Sequence, residues 1–132
     1  MKLVMKMYPI KIKRAHEKAD PGDGARVLVD RLWPRGVSKE QANLHSWAKE
    51  VCPSTELRKW FDHREDRFTE FTDKYLEELN GSEEAKAWRQ SVIDGLRHGS
   101  VTLVYGAKSE KINHARVLKA WVEEALNKKV KP

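Results

Sequence analysis

A chain of 132 residues with 39% hydrophobic side chains and five tryptophans suits one domain with one core, under a solvated surface that is 35% charged. No apolar run approaches the ~20 residues of a membrane span, and the opening MKLVMKM is too short and too interrupted by lysine for a signal peptide. The single cysteine, Cys52, excludes an internal disulfide, so cytoplasm is the expected compartment.

Net charge is +6, and it is unevenly spread. Residues 1–18 carry six Lys/Arg against one Glu, residues 51–84 five against ten acids, and residues 85–132 ten against four. Nucleic-acid binders usually gather their basic residues on one face. Here the excess sits at both ends, including Lys128-Lys129-Val130-Lys131.

In chain order, Ile10-Lys11-Ile12-Lys13-Arg14 alternates apolar and basic residues and predicts a strand with one face buried. A turn-rich loop, Asp20-Pro21-Gly22-Asp23-Gly24, leads to a second strand over 26–31, and the two strands are close enough in sequence to pair in either sense. Ser38 with Gln41 three places later is a capping box, so a short helix should start at Lys39. The stretch 44–51 fits a strand or a helix equally. Ser54 caps a two-turn helix over Thr55–Phe61.

A longer helix over about 65–80 places Phe68, Phe71, Tyr75, Leu76 and Leu79 on one stripe and stops at Asn80-Gly81. Ser82 begins another, with Ala85, Trp88, Val92, Ile93 and Leu96 inward. Val101-Thr102-Leu103-Val104-Tyr105 is apolar enough to be buried on both faces, as central parallel strands are. After Gly106-Ala107-Lys108-Ser109, with Ser109 or Asn113 as cap, a last helix presents Ala115, Leu118, Trp121, Val122, Ala125 and Leu126.

This order predicts a single α/β domain over 1–132, a short, mainly parallel sheet flanked by helices, with residues 1–9 and 127–132 as frayed ends. The strands at 26–31 and 100–105 are separated by a helical excursion and should be parallel neighbours. Their carboxyl ends would then form a crevice, where open α/β sheets place ligands. Asp30, Arg31, Trp33 and Arg35 would meet Tyr105, Lys108, Asn113 and His114 there.

Arg31, Arg35 and Lys108 suit an anion clamp for phosphate or carboxylate, since arginine offers a planar fork of donors; ordinary surface pairing is the plainer reading. Asp30 serves either as a general base or to orient an arginine, and neighbouring cations favour orientation by making it a weak base. His63 and His114 are the other candidate catalytic groups, although His63 also suits a helix C-terminal cap. Trp33 and Trp60 can stack on a planar ligand or simply pack. Cys52 has no recognisable partner, and no spacing suggests a metal or a P-loop. No cofactor is implied. The expected partner is a small anionic ligand; the rival reading is a non-catalytic module that binds nucleic acid or a protein through the basic ends.

The runs VLVDRLWPRGVSKE, PSTELRKWFDH and VTLVYGAK, followed by NHA, closely resemble the YeaO-like branch of domain-of-unknown-function family 488. The likeness extends from about Ile10 to Leu126. It implies a small cytoplasmic α/β protein of bacteria or archaea and implies no activity. The family's recurring polar positions would correspond to Asp30, Arg31, Trp33, Arg35, Ser54, Arg58, Trp60, His63, Lys108 and His114. Relatives often carry two asparagines in the last motif, where this chain reads Asn113-His114-Ala115.

Overall fold

The computed structural model describes residues 7–130. Four strands form one parallel sheet: β1 (Ile10–Arg14), β2 (Ala25–Leu28), β3 (Ser46–Trp47) and β4 (Val101–Tyr105), in the order β1-β4-β2-β3. Among the described residues the five α-helices are α1 (Lys39–Ala42), α2 (Thr55–Phe61), α3 (Phe68–Asn80), α4 (Glu83–Gly95) and α5 (His114–Val130).

β4 is buried at all five positions, and the topology gives the reason. It lies between β1 and β2, with Val101 opposite both Ile10 and Ala25. β1 and β2, near in sequence, are therefore not partners. The expected parallel pairing of the second strand with 100–105 is present. β2 is shorter than the expected 26–31, but its ladder runs one residue further through Val29 N–H to the Val104 carbonyl at 3.0 Å. The open stretch 44–51 divides into the two-residue edge strand β3 and a 3-10 turn over Lys49–Val51.

Helix boundaries follow local chemistry. The hydroxyls of Ser38, Ser54 and Ser82 accept from the N–H groups of Gln41, Leu57 and Ala85, satisfying donors that a helix start leaves unpaired. The segment expected as one helix from residue 65 opens instead with a 3-10 turn, Glu65–Arg67, before α3. α5 runs to Val130, so the stretch 127–130, expected to fray, continues the helix. At the other end, Tyr8 N–H donates to the Leu96 carbonyl at 2.7 Å. The rest of the expected frayed ends, 1–6 and 131–132, lies outside the described residues.

Strand side chains alternate between faces, so the sheet has two unequal cores. Val27, Val29, Val101, Leu103 and Tyr105 belong to the larger one, with Phe61, Phe71, Tyr75, Leu79, Ile93, Leu96, Leu118, Trp121 and Val122 from the helices. Leu28 and Val104 face the other way, against Ala15, Val37 and Ala42. Trp121 is 3% exposed, and its Nε1 donates to Asn80 Oδ1 at 2.9 Å. Trp88, expected in the same core, is only partly buried and packs on its margin.

On the smaller face the sheet buries a charge. Arg26 is 1% exposed, with Nη1 2.7 Å from Asp23 Oδ2 and Nε donating to the Ala42 carbonyl. Lys13 Nζ reaches Asp23 Oδ1 at 3.0 Å, and Thr102 Oγ1 donates to the Asp23 carbonyl. Asp23 can be brought there because Gly24 turns the chain at φ +64°, where a Cβ would sit 2.0 Å from the Ser100 carbonyl oxygen.

Candidate functional site

The carboxyl ends of β2 and β4 open into a crevice of about 790 Å3. Its walls come from three segments. The turn after β2 contributes Asp30, Arg31, Leu32, Trp33, Pro34 and Arg35; α2 and the residues around it contribute Cys52, Pro53, Arg58, Phe61 and His63. The loop after β4 and the start of α5 contribute residues 106–109 and 112–114, and Phe71 of α3 also borders the cavity.

Asp30 joins two of these walls. Its Oδ2 accepts from Gly106 N–H at 2.9 Å, and its Oδ1 lies 3.3 Å from His114 Nε2. A Cβ at Gly106 would stand 2.9 Å from Oδ2, so any larger residue there would push the Asp30 carboxylate aside. His114 Nε2 is also 2.9 Å from the Val29 carbonyl, which can only accept, so this nitrogen carries the proton and donates. The Val29 carbonyl also accepts from Cys52 Sγ at 3.1 Å. Burial pushes the Cys52 thiol up to about 12, with Arg31 opposing that shift, and the sulfur stays protonated.

The cations are arranged differently. Arg31, held by Nη2 to the Pro53 carbonyl at 3.1 Å, keeps its Nε buried without a hydrogen-bond partner. Arg35, Arg58 and Lys108 are exposed at the rim. None of these four forms a salt bridge among the described residues, and Asp30 is the one carboxylate in the lining. His16 Nε2 donates to the Arg35 carbonyl at 2.9 Å and ties this turn to the end of β1.

Asp30, Arg31, Trp33, Arg35, His63, Lys108, Asn113 and His114, singled out from sequence, are thus brought together. Tyr105 is not. Its side chain shares the face of Val101 and Leu103 and is 2% exposed in the larger core, where burial raises its phenol above the usual range. Asn113 borders the crevice with its amide already committed: Oδ1 accepts from Arg116 N–H, and Nδ2 donates to the Ser109 carbonyl. It caps α5. Ser54 and Trp60 face a separate, shallower depression with Glu77 and Glu78; Ser54 Oγ donates to Glu78 Oε2, and Arg67 and Lys74 lie over the Trp60 ring.

Phe61 and Phe71 fall on apolar helix faces by their spacing, and that pattern carries no signal that one side of each lines a cavity; Cys52 stands alone in sequence, and its place in the lining has no signal either. Trp47 was missed as well. It stands edge-on to Trp33, with ring centres 5.7 Å apart, and its Nε1 donates to the Asp30 carbonyl.

The model of the family described as "Inactive DUF488-N3 subclade" matches residues 9–132. The chain is 42% identical over 113 residues to the uncharacterized protein YeaO of Escherichia coli K12, covering 86% of this chain and 96% of that one. The chain belongs to the YeaO-like DUF488 family. The uncharacterized proteins Rv3073c of Mycobacterium tuberculosis H37Rv and Mb3100c of Mycobacterium bovis are each 48% identical over 73 residues, 55% of this chain and 62% of theirs. No solved structure matches the chain. Every crevice-forming segment of this DUF488 member lies inside the stretch that the family model matches. His114 lies between the Val29 carbonyl and the Asp30 carboxylate. Among the described residues no group of His, Cys, Asp and Glu could hold a metal ion, and no helix is long and apolar enough to cross a membrane.

Proposed function

We propose that this protein binds a small oxyanion, a phosphate or carboxylate, in the crevice at the ends of β2 and β4, without turning it over. The observation that carries the reading is the charge arrangement. Arg31, Arg35, Arg58 and Lys108 converge from three segments on one cavity with no salt-bridge partner among the described residues, and the one carboxylate among its described lining residues is already engaged by Gly106 N–H. Gathered cations repel one another, and an anion shared among them relieves that repulsion.

Binding rather than catalysis is favoured by the state of the reactive groups. Cys52 is held as a thiol, Asp30 is used in tying two loops, and the proton on His114 Nε2 is directed at the Val29 carbonyl. The family description "Inactive" agrees with this. The Asp30–His114 pair at 3.3 Å supports a second reading, general acid–base chemistry on the same ligand. A nucleic-acid role through the basic ends has less support: Lys13 is paired with Asp23 and Lys128 with Glu124. A cytoplasmic location is part of the proposal and rests on the single unpaired Cys52.

The test is a melting series with phosphate, sulfate and acetate at constant ionic strength. An anion at a hundredfold excess over its dissociation constant should add ~2.7 kcal/mol. For 132 residues that is a rise of about 10 °C. Arg35→Ala should lose most of the shift and leave the anion-free midpoint almost unchanged, since Arg35 is exposed in a turn. No anion-specific shift in the parent, or an equal shift in Arg35→Ala, would remove the proposal.

A further inference from the structure

The crevice is much larger than an inorganic oxyanion, and much of its surface is not charged. Leu32, Trp33, Pro34, Phe61, Phe71 and Ile112 line it together with the four cations. A bare phosphate held by the rim arginines would leave this apolar part filled with poorly bonded water. An occupant that fits the whole cavity has an anionic head and an apolar body.

The shape of the apolar part is more specific. Phe61 and Phe71 are stacked at 4.3 Å between ring centres, with their planes inclined by 23°, and the edge of this buried pair borders the crevice. Trp33 borders the mouth with 37% of its surface exposed. Its orientation is nevertheless fixed: Nε1 donates to the Val37 carbonyl at 2.6 Å, and Trp47 supports it edge-on. Trp47 is itself held by the Asp30 carbonyl and covered by Lys49 Nζ, 4.2 Å from its ring centre. An indole held still on two sides and open on a third is a preorganised stacking surface.

We infer that the ligand of this crevice is a phosphate monoester of a planar aromatic group, its phosphate among Arg31, Arg35, Arg58 and Lys108 and its ring against Trp33. The inference rests on the anion-binding reading above and narrows it to a ligand class.

Calorimetric titration with inorganic phosphate, phenyl phosphate and butyl phosphate at constant ionic strength separates the two. Phenyl phosphate should bind about tenfold or more tighter than inorganic phosphate, in the range that aromatic stacking supplies. Butyl phosphate, with an apolar body but no ring, should fall well short of phenyl phosphate. Trp33→Leu should abolish the preference for the phenyl ester and leave inorganic phosphate bound as before. Trp33→Phe should restore part of it, and circular dichroism on both variants checks that the fold persists. If inorganic phosphate binds and the phenyl ester is no tighter, or the butyl ester equals it, the aromatic assignment is wrong and the anion site stands. If Trp33→Leu keeps the full preference, the ring does not lie on Trp33 and the inference is overturned. If none of the three binds, both readings fail.

Discussion

Asp30 is the residue through which fold and site can be perturbed together. Its Oδ2 is the partner of Gly106 N–H at 2.9 Å, and its side chain is 20% exposed. Asp30→Ala removes a charge-assisted hydrogen bond and leaves a half-buried N–H unpaired, a cost of about 1.5–3 kcal/mol. Unfolding entropy of ~2.1 cal/mol/K per residue over 132 residues gives about 0.28 kcal/mol/K, so the midpoint should fall by about 5–11 °C. Asp30→Asn keeps an acceptor oxygen at the same place and should cost less than about 1 kcal/mol. The same Asn variant removes the only negative charge among the described residues of the crevice lining. It should therefore bind phosphate more tightly than the parent, by about tenfold for a gain on the order of 1.4 kcal/mol. Urea denaturation and calorimetric titration on the three proteins give both readouts. Equal stability of Asp30→Ala and the parent would show that the Gly106 contact does not hold the two loops. Weaker phosphate binding by Asp30→Asn would show that the carboxylate orients the cations rather than opposing the anion.

Burial works against Asp23, but hydrogen bonds from Asp20 N–H, Lys13 and Arg26 outweigh it and hold its carboxyl below the usual 3.8. The stability it contributes is present above that value and lost as pH falls through its lower folded-state value. Asp23→Ala at neutral pH should cost about 3–5 kcal/mol because it strands buried Arg26, and a urea midpoint within error of the parent would refute this. Trp121→Ala should cost about 3–5 kcal/mol, whereas Trp88→Ala, from a part-exposed site, should cost distinctly less; equal losses in denaturant titrations would contradict the packing described. Cys52 ionises at about 12 in the fold against an ordinary 9.0, so its contribution to stability is complete below 9 and declines as pH rises beyond it. At pH 8 a thiol reagent should modify the native protein far more slowly than the urea-unfolded chain, and similar rates would place the thiol in the open.

Much of this fold is decided within short stretches of sequence. Ser38, Ser54 and Ser82 start helices because one hydroxyl can satisfy an N–H three residues later, and that needs nothing from the rest of the chain. The apolar run at β4 has no polar face to turn to water, so its central place in a parallel sheet was legible, and with it the meeting of Asp30 and Arg35 with Lys108 and His114. The family motifs were legible in the same way.

What lay beyond sequence is what depends on partners far along the chain. β1 and β2 are close enough in sequence to pair, yet β4, buried at all five positions, lies between them. Nothing in the local sequence marks Arg26, the first residue of the expected strand, as buried. Only the approach of Gly24 to Ser100 brings Asp23 close enough to let it be buried. Tyr105 ends a strand at the crevice, and Trp88 falls on an apolar helix stripe, but neither position in sequence says how far another element covers the side chain. The crevice depends on such covering. Phe61 and Phe71 are core residues by pattern, and they line a cavity because the loops after β2 and β4 leave one side of the helix layer uncovered.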